Sequence, residues 1–333
     1  MITPAFGLTA TERVLPRLAL DFTTAALDPR ITFTRSGNTA TVVNSSGVIA
    51  LVNADIPRFD YNPTTLVCNG LLIEESRTNV LLNSLLNGTS LATQFVTVTA
   101  AARTLTFYGT GQIVLSGAAS ATVTGTGAYP TRTTLTFTPS AGVLTLTVTG
   151  TVQFAQLELG SFATSFIPTA ASQVTRTADV ATMTGTNFSD WFNASEGTLE
   201  AYGMTAPGIS GTQYILSATD GTTSNMVLMY RQLSGFMGTG VYTAGAVQHD
   251  SNTGVLQASS SNINGALSVK AGGAYRAFNA ASNTAIGLTT MPSVNQFQIG
   301  NRTDLTRAWN GTIARIDYYP QKLTNSEVIA ISK

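Results

Sequence analysis

The sequence has one cysteine, one histidine and little charge. Cys68 has no partner for an intrachain disulfide, so stability must come from core size or association. A buried free thiol is the expected state of Cys68. One cysteine and one histidine exclude a Cys/His zinc cluster. Charged residues are only 10% of the chain, with 17 basic and 17 acidic. That balance lacks the basic excess of a nucleic-acid surface. No apolar run reaches the roughly 18 residues that a membrane-spanning helix needs. The start, MITPAFGLTATERVLPRLALDF, lacks the basic stretch and apolar core of a secretory signal, so a chain assembled in the cytoplasm is expected. Helical periodicity is almost absent, and so is any G-x-S-x-G nucleophile motif.

What is present is β-structure. Hydrophobic residues make up 43% of 333, too many for disorder at this charge. The length suits two or three domains. Residues 1 to about 20, with Pro4, Gly7 and Pro16, read as an extended arm. Short alternating runs follow at Leu18–Phe22, Ile31–Arg35, Ala40–Val43 and Val48–Val52. Asn83 to about Ala101 reads as an irregular connection. The clearest alternation comes next, in 103–108, 112–116, 120–124, 131–138, 143–149 and 151–159. Threonine alternates there with Leu, Val and Phe between glycine turns, which argues for an antiparallel sandwich with one polar and one buried face. Residues 160–179 read as a crossing segment, in which Arg176 and Asp179 tie to the next domain. The remainder is again strands and turns. It closes on Thr324-Asn-Ser-Glu327, a helix N-cap box.

The stretch Gly70–Ser84, GLLIEESRTNVLLNS, sets two apolar runs around a polar knot of Glu74, Glu75, Arg77 and Asn79. Partly buried Glu–Arg pairs hold geometry when fully hydrogen-bonded, so a structural role is expected. Glu74 and Glu75 point apart on a strand and do not make a catalytic pair.

With its lead-in, this stretch reads PRFDYNP…GLLIEESRTNVLLNS, which resembles a segment shared by bacteriophage appendage proteins (tail fibre, tail spike and head spike-fibre proteins). The later block FAQLELGSFATSFIPT, residues 154–169, is similar to a second motif of that family, where it closes a carbohydrate-module-like sandwich. The ending Gly311-Thr-Ile-Ala-Arg-Ile-Asp-Tyr-Tyr319, followed by a short helix, resembles the finish of concanavalin/laminin-G-like domains. The resemblance implies an all-β chain: an N-terminal virion-anchoring and packing region (1–84), a jelly-roll-like, carbohydrate-module-like sandwich (85–168) and a concanavalin/laminin-G-like sandwich (169–333). It also implies a virion location, other virion proteins as partners, and a homo-oligomer, with the trimer the commonest form.

Candidate chemistry is sparse. His249, in Gln248-His-Asp-Ser-Asn252, reads as a solvated loop residue. Glycoside hydrolysis needs two carboxylates across the scissile bond. Glu196, Glu200, Asp220, Asp304 and Asp317 read as isolated, and no E-x-D-x-E strand is present. The turns Asp220–Asn225 and Asn301–Asp304 offer too few oxygens for calcium, so no metal or cofactor is expected. Sugar recognition needs an aromatic face beside polar groups. Trp309 with Arg307 and Asn310, and Tyr242 in its glycine-rich loop, are the candidates. The reading is a structural phage appendage protein that adheres to host surface glycans and has no enzymatic activity, nucleic-acid partner or membrane insertion. The alternatives are a glycan depolymerase and a capsid decoration without host contact.

Overall fold

A computed structural model describes residues 15–37, 40–209, 211–256, 258 and 260–333, with the side chains of 251–255 and 282–286 outside the description. Most of the expected N-terminal arm lies outside the described residues. Its end does not: Leu18–Asp21 is a strand paired antiparallel with Gly311–Tyr319.

The chain is all-β, with two sandwiches. In the larger one, one sheet runs Ala281–Ile286, Gly273–Phe278, Asn262–Lys270, Glu196–Thr205, Gly311–Tyr319, Cys68–Ile73, Phe59–Tyr61, and Leu18–Asp21 also pairs with Gly311–Tyr319. The facing sheet runs Thr32–Thr34, Val180–Thr184, Gln296–Ile299, Gln213–Thr219, Met226–Arg231, Phe236–Thr243, Ala246–Leu256. Residues 18–73 therefore add strands to both sheets of the C-terminal sandwich. Leu18, Leu20, Phe22, Phe33, Leu71 and Ile73 share its core with Trp191, Phe297 and Trp309. Among the described residues, the expected N-terminal region has no separate core there. Its strands are too short to bury an apolar face alone, and they complete a neighbour instead. Cys68 is half-buried, not fully enclosed, with Sγ 3.6 Å from the Phe22 carbonyl oxygen.

The smaller sandwich sets a four-stranded sheet (Ala121–Thr124, Gln112–Gly117, Gly142–Thr149, Gln94–Val98) on a three-stranded one (Thr133–Phe137, Arg103–Tyr108, Gln153–Leu159). Its core holds Leu105, Phe107, Ile113, Leu144, Leu146 and Leu157. Gln94–Val98 is a strand inside the segment expected to be irregular. Phe95, 69% exposed, puts an apolar side chain on the outer face and blurs the alternation. On the four-stranded sheet the outer face is mostly threonine, with Phe95 and Val143 exposed among them. On the three-stranded sheet Thr104 and Thr106 are buried as well, Thr104 under the crossing segment and Thr106 beneath Arg132, which donates to its Oγ1 at 2.8 Å. Thr104 Oγ1 donates to the Gly160 carbonyl at 2.8 Å, and Thr136 Oγ1 to that of Ser161 at 3.2 Å.

A buried charge network fastens the two sandwiches. The Glu74 carboxylate takes Arg58 at 2.8 Å and Arg176 at 3.4 Å, and accepts from Ser165 N (2.7 Å) and Oγ (2.6 Å). Asp179 takes Arg35 at 3.1 Å, pairs closely with Arg58, and accepts from Glu74 N at 2.9 Å. Asn79 uses all four hydrogen-bonding positions of its amide: Nδ2 donates to the carbonyls of Ala155 (3.1 Å) and Ile167 (2.9 Å), and Oδ1 accepts from Leu81 N and Leu157 N, both 3.1 Å. Glu75 turns the other way, to Arg77 Nε at 2.7 Å and Asn310 Nδ2 at 3.0 Å. Burial pushes the Glu74 carboxyl up, but Arg176, Arg58 and Ser165 outweigh it and hold it at about 2. The two motif blocks quoted above thus meet in space, Glu74 on Ser165 and Asn79 on Ala155 and Ile167.

At the C-terminus, Thr324 and Glu327 form the expected capping box ahead of the helix Asn325–Ile331.

Candidate functional site

The outer face of the seven-stranded sheet carries an open cleft of about 600 Å³. Tyr214 and Tyr230 line it, and glycines on the next strand make room for the Tyr230 ring. Gly238 and Gly240 alternate on the strand Phe236–Thr243 and leave room for the Tyr230 ring from the neighbouring strand and the Tyr242 ring from their own. A Cβ at Gly238 would lie 2.5 Å from the Tyr230 ring, and one at Gly240 2.9 Å from the Tyr242 ring. Tyr230 packs on Tyr214 with ring centroids 5.7 Å apart. Asp250, exposed on the adjoining strand, accepts hydrogen bonds from the hydroxyls of both Tyr230 and Tyr242. Burial, reinforced by the Asp250 bond and charge, pushes both phenols above their ordinary range. Asp250 is therefore a fixed acceptor. Two of its roughly four lone-pair sites are used by the phenols, leaving others for a ligand.

Arg302 and Arg307 complete the cleft. Arg302 is engaged by Asp304, whose carboxyl is drawn down to about 2 chiefly by that bond, and its guanidinium lies 5.9 Å from the Tyr214 ring centroid. Arg307 is pinned through its backbone: N–H donates to Asn301 Oδ1 at 3.1 Å, and C=O accepts from Tyr214 N at 2.9 Å. Gln232, Thr212 and Ser234 supply neutral polar groups around the rim.

Of the expected sugar-contacting residues, the structure places Arg307 in the cleft and Tyr242 at its edge, bonded to Asp250. Trp309 is fully buried, its indole N–H donating to the Thr312 carbonyl at 3.1 Å, so it has no face for a sugar. Asn310 is buried too and serves Glu75, accepting from its N–H at 2.8 Å. The loop position beside a turn suggested exposure, but the core of the larger sandwich reaches under this loop. Tyr214, Tyr230 and Asp250 were not singled out. The usable signal was Gly238 and Gly240 opposite an aromatic strand, since strand glycines mark close approach of a ring or backbone.

His249 is not a solvated loop residue. It lies on the strand Ala246–Leu256, 8% exposed, with Nε2 3.0 Å from Thr239 Oγ1 and 2.9 Å from Arg276 Nη1. Burial, then the charge of Arg276, pushes it down to about 4, so near neutrality Nε2 accepts from Arg276.

Glu200 and Asp317 are not isolated either. They sit directly opposite on the paired strands Glu196–Thr205 and Gly311–Tyr319. Both are buried. Glu200 meets Asn264 and Tyr319, and Asp317 pairs with Arg315. Burial and then the Asp317 charge raise Glu200 to about 7. A carboxyl raised on folding favours the folded state while protonated, so stability should fall as pH rises from about 4.5 towards 7. Glu200→Gln is expected to flatten that slope in urea-unfolding midpoints measured across this range. An unchanged slope would contradict the assignment.

The side-chain oxygens of the turns Asp220–Asn225 and Asn301–Asp304 serve internal hydrogen bonds. Asp220 accepts from Thr222 N (2.9 Å) and Asn225 Nδ2 (2.8 Å), and Asp304 from Arg302 and Thr306.

No protein-family model matches the sequence, and no curated protein matches it. Solved structures with partial similarity include the CBM40 domain of a Ruminococcus gnavus IT-sialidase bound to alpha2,3 sialyllactose (16% identity, 42% of this chain and 84% of that one, TM-score 0.37). A sialidase from Streptococcus pneumoniae aligns over 45% of this chain and 26% of its own at 12% identity and TM-score 0.39. A SAP-like pentraxin from Limulus polyphemus aligns over 42% and 70% at 13% identity and TM-score 0.35.

Proposed function

We propose that this chain is a structural component of a phage appendage that adheres to glycan through the cleft around Asp250. The observation that carries the binding part is an exposed carboxylate, fixed by two phenols, facing arginine and amide donors in a cleft of about 600 Å³. That size falls within the range of about 300–1,000 Å³ usual for ligand clefts. A fixed carboxylate accepting from adjacent hydroxyls, with donors opposite, suits a saccharide. The appendage part is supported by the two motif blocks, which are similar to phage virion proteins and pack together in one buried network. The N-terminal third also presents Val48, Leu51, Leu66 and Val67 to solvent at 48–62% exposure, apolar surface suited to contact with other subunits.

A binding role is favoured over hydrolysis. The cleft offers Asp250 as its lining carboxylate, and two are needed to cleave a glycoside. Association would multiply weak single sites into firm adhesion.

The test has two parts. Sedimentation should give three times the chain mass; a monomer at all concentrations would overturn the oligomeric reading. The protein should bind glycans on an array of bacterial surface polysaccharide fragments, and no binding at all would overturn the adhesive one.

A further inference from the structure

The charges in the cleft are not all paired with one another. Arg302 is neutralised by Asp304, with Nε to Oδ1 at 2.9 Å. Asp250 spends part of its capacity on Tyr230 and Tyr242. Arg307 is different. Its backbone is held at both ends, its side chain is half-buried, and among the described residues no carboxylate lies within ion-pair distance of its guanidinium. A cation partly withdrawn from water without a counter-charge is costly, and a planar guanidinium is best matched by a carboxylate that takes two parallel N–H bonds.

The cleft is also polarised. Asp250 marks one part as a hydroxyl-binding site, because a second carboxylate placed there would meet like charge. Arg307 marks another part as a site for an anion. A ligand satisfying both presents hydroxyls on one side and a carboxylate on the other. Neutral hexoses fill only the first requirement.

Resting on the glycan-binding reading, we propose that the ligand is an acidic saccharide, carrying a carboxylate of the uronic-acid type, and that Arg307 binds the carboxylate while Asp250 takes the hydroxyls. The two residues then divide recognition. Asp250 decides whether a sugar binds, and Arg307 decides whether it is acidic.

The experiment prints each carboxylated polysaccharide fragment beside its carboxyl-reduced form, which keeps the ring and linkage and loses the charge. Wild-type protein should bind the acidic member about tenfold or more tightly, the scale of a charge-assisted hydrogen-bonded contact. The preference should shrink as salt rises, because the contact is partly exposed. Arg307→Gln should abolish the preference, bringing the acidic member's affinity down to the level of its reduced partner. Asp250→Ala should weaken both. Equal binding of the two members by wild type, or an Arg307→Gln variant that keeps the preference, overturns this inference and leaves glycan binding standing. Binding to no fragment of either kind overturns both.

Discussion

Replacing Asp179 with alanine is expected to cost about 3–5 kcal/mol of folding stability, the range for breaking a buried ion pair by removing one partner. Asp179 is fully buried and answers Arg35 and Arg58, with Arg176 Nη1 3.8 Å away, while also accepting from Glu74 N. Without it, Arg58 and Arg176 are left to Glu74, and Arg35 loses the carboxylate it pairs with. Asp179→Asn keeps the shape and removes the charge, and it should lose most of the same stability. Lys270→Ala is the control. It breaks the pair with Glu196 at 3.2 Å, but the lysine side chain is 52% exposed, and pairs of that kind are worth roughly 0–1 kcal/mol. Urea unfolding of the three variants decides the matter. An Asp179→Ala loss no larger than the Lys270→Ala loss would mean that the network does not hold the sandwiches together. The network should also tolerate mild acid. Glu74 is depressed on folding, so its contribution is full above about 4.5 and lost only as pH falls towards 2.

Asp250→Ala is expected to weaken glycan binding about 10- to 100-fold, the equivalent of losing one or two hydrogen bonds to a charged acceptor. The fold should survive, since Asp250 is exposed and its strand is held by backbone pairing to Phe236–Thr243. A second readout separates a local change from unfolding. Asp250 helps to hold the Tyr230 and Tyr242 hydroxyls un-ionised, so ultraviolet titration of the variant should show tyrosines ionising at lower pH than in wild type. Unchanged affinity together with an unchanged tyrosine titration would remove Asp250 from the site.

The architecture was legible where strands alternate cleanly. The middle sandwich could be read from Thr against Leu, Val and Phe, and the terminal helix from Thr324 and Glu327. The knot at Glu74–Asn79 was legible because two acids, an arginine and an amide between apolar runs have few stable arrangements except mutual satisfaction. Its partners were only partly visible: Arg176 and Asp179 could be suspected, Arg35 and Arg58 could not. Their meeting depends on the early strands joining the far sandwich, and pairings over more than two hundred residues leave no local periodicity. The strand pairs that join Leu71 with Ile313 and Leu18 with Tyr318 are of this kind.

The candidate site was less legible for a related reason. Arg307 and Tyr242 could be picked from their loops, but Asp250 acquires its role from Tyr230, twenty residues away and across an intervening strand. Trp309 and Asn310 misled because residues beside a turn usually face water. Here the turn lies over the core, and Asn310 is used to anchor Glu75. Glu200 and Asp317 meet because of strand register, which composition does not reveal.

The central claim is tested most directly by determining the structure of this protein with an array-selected acidic saccharide bound. The saccharide should lie on the outer face of the seven-stranded sheet, with hydroxyls on Asp250 and its carboxylate on Arg307. Density for the saccharide elsewhere, such as on the threonine face of the four-stranded sheet, with the Asp250 cleft empty, would contradict the account.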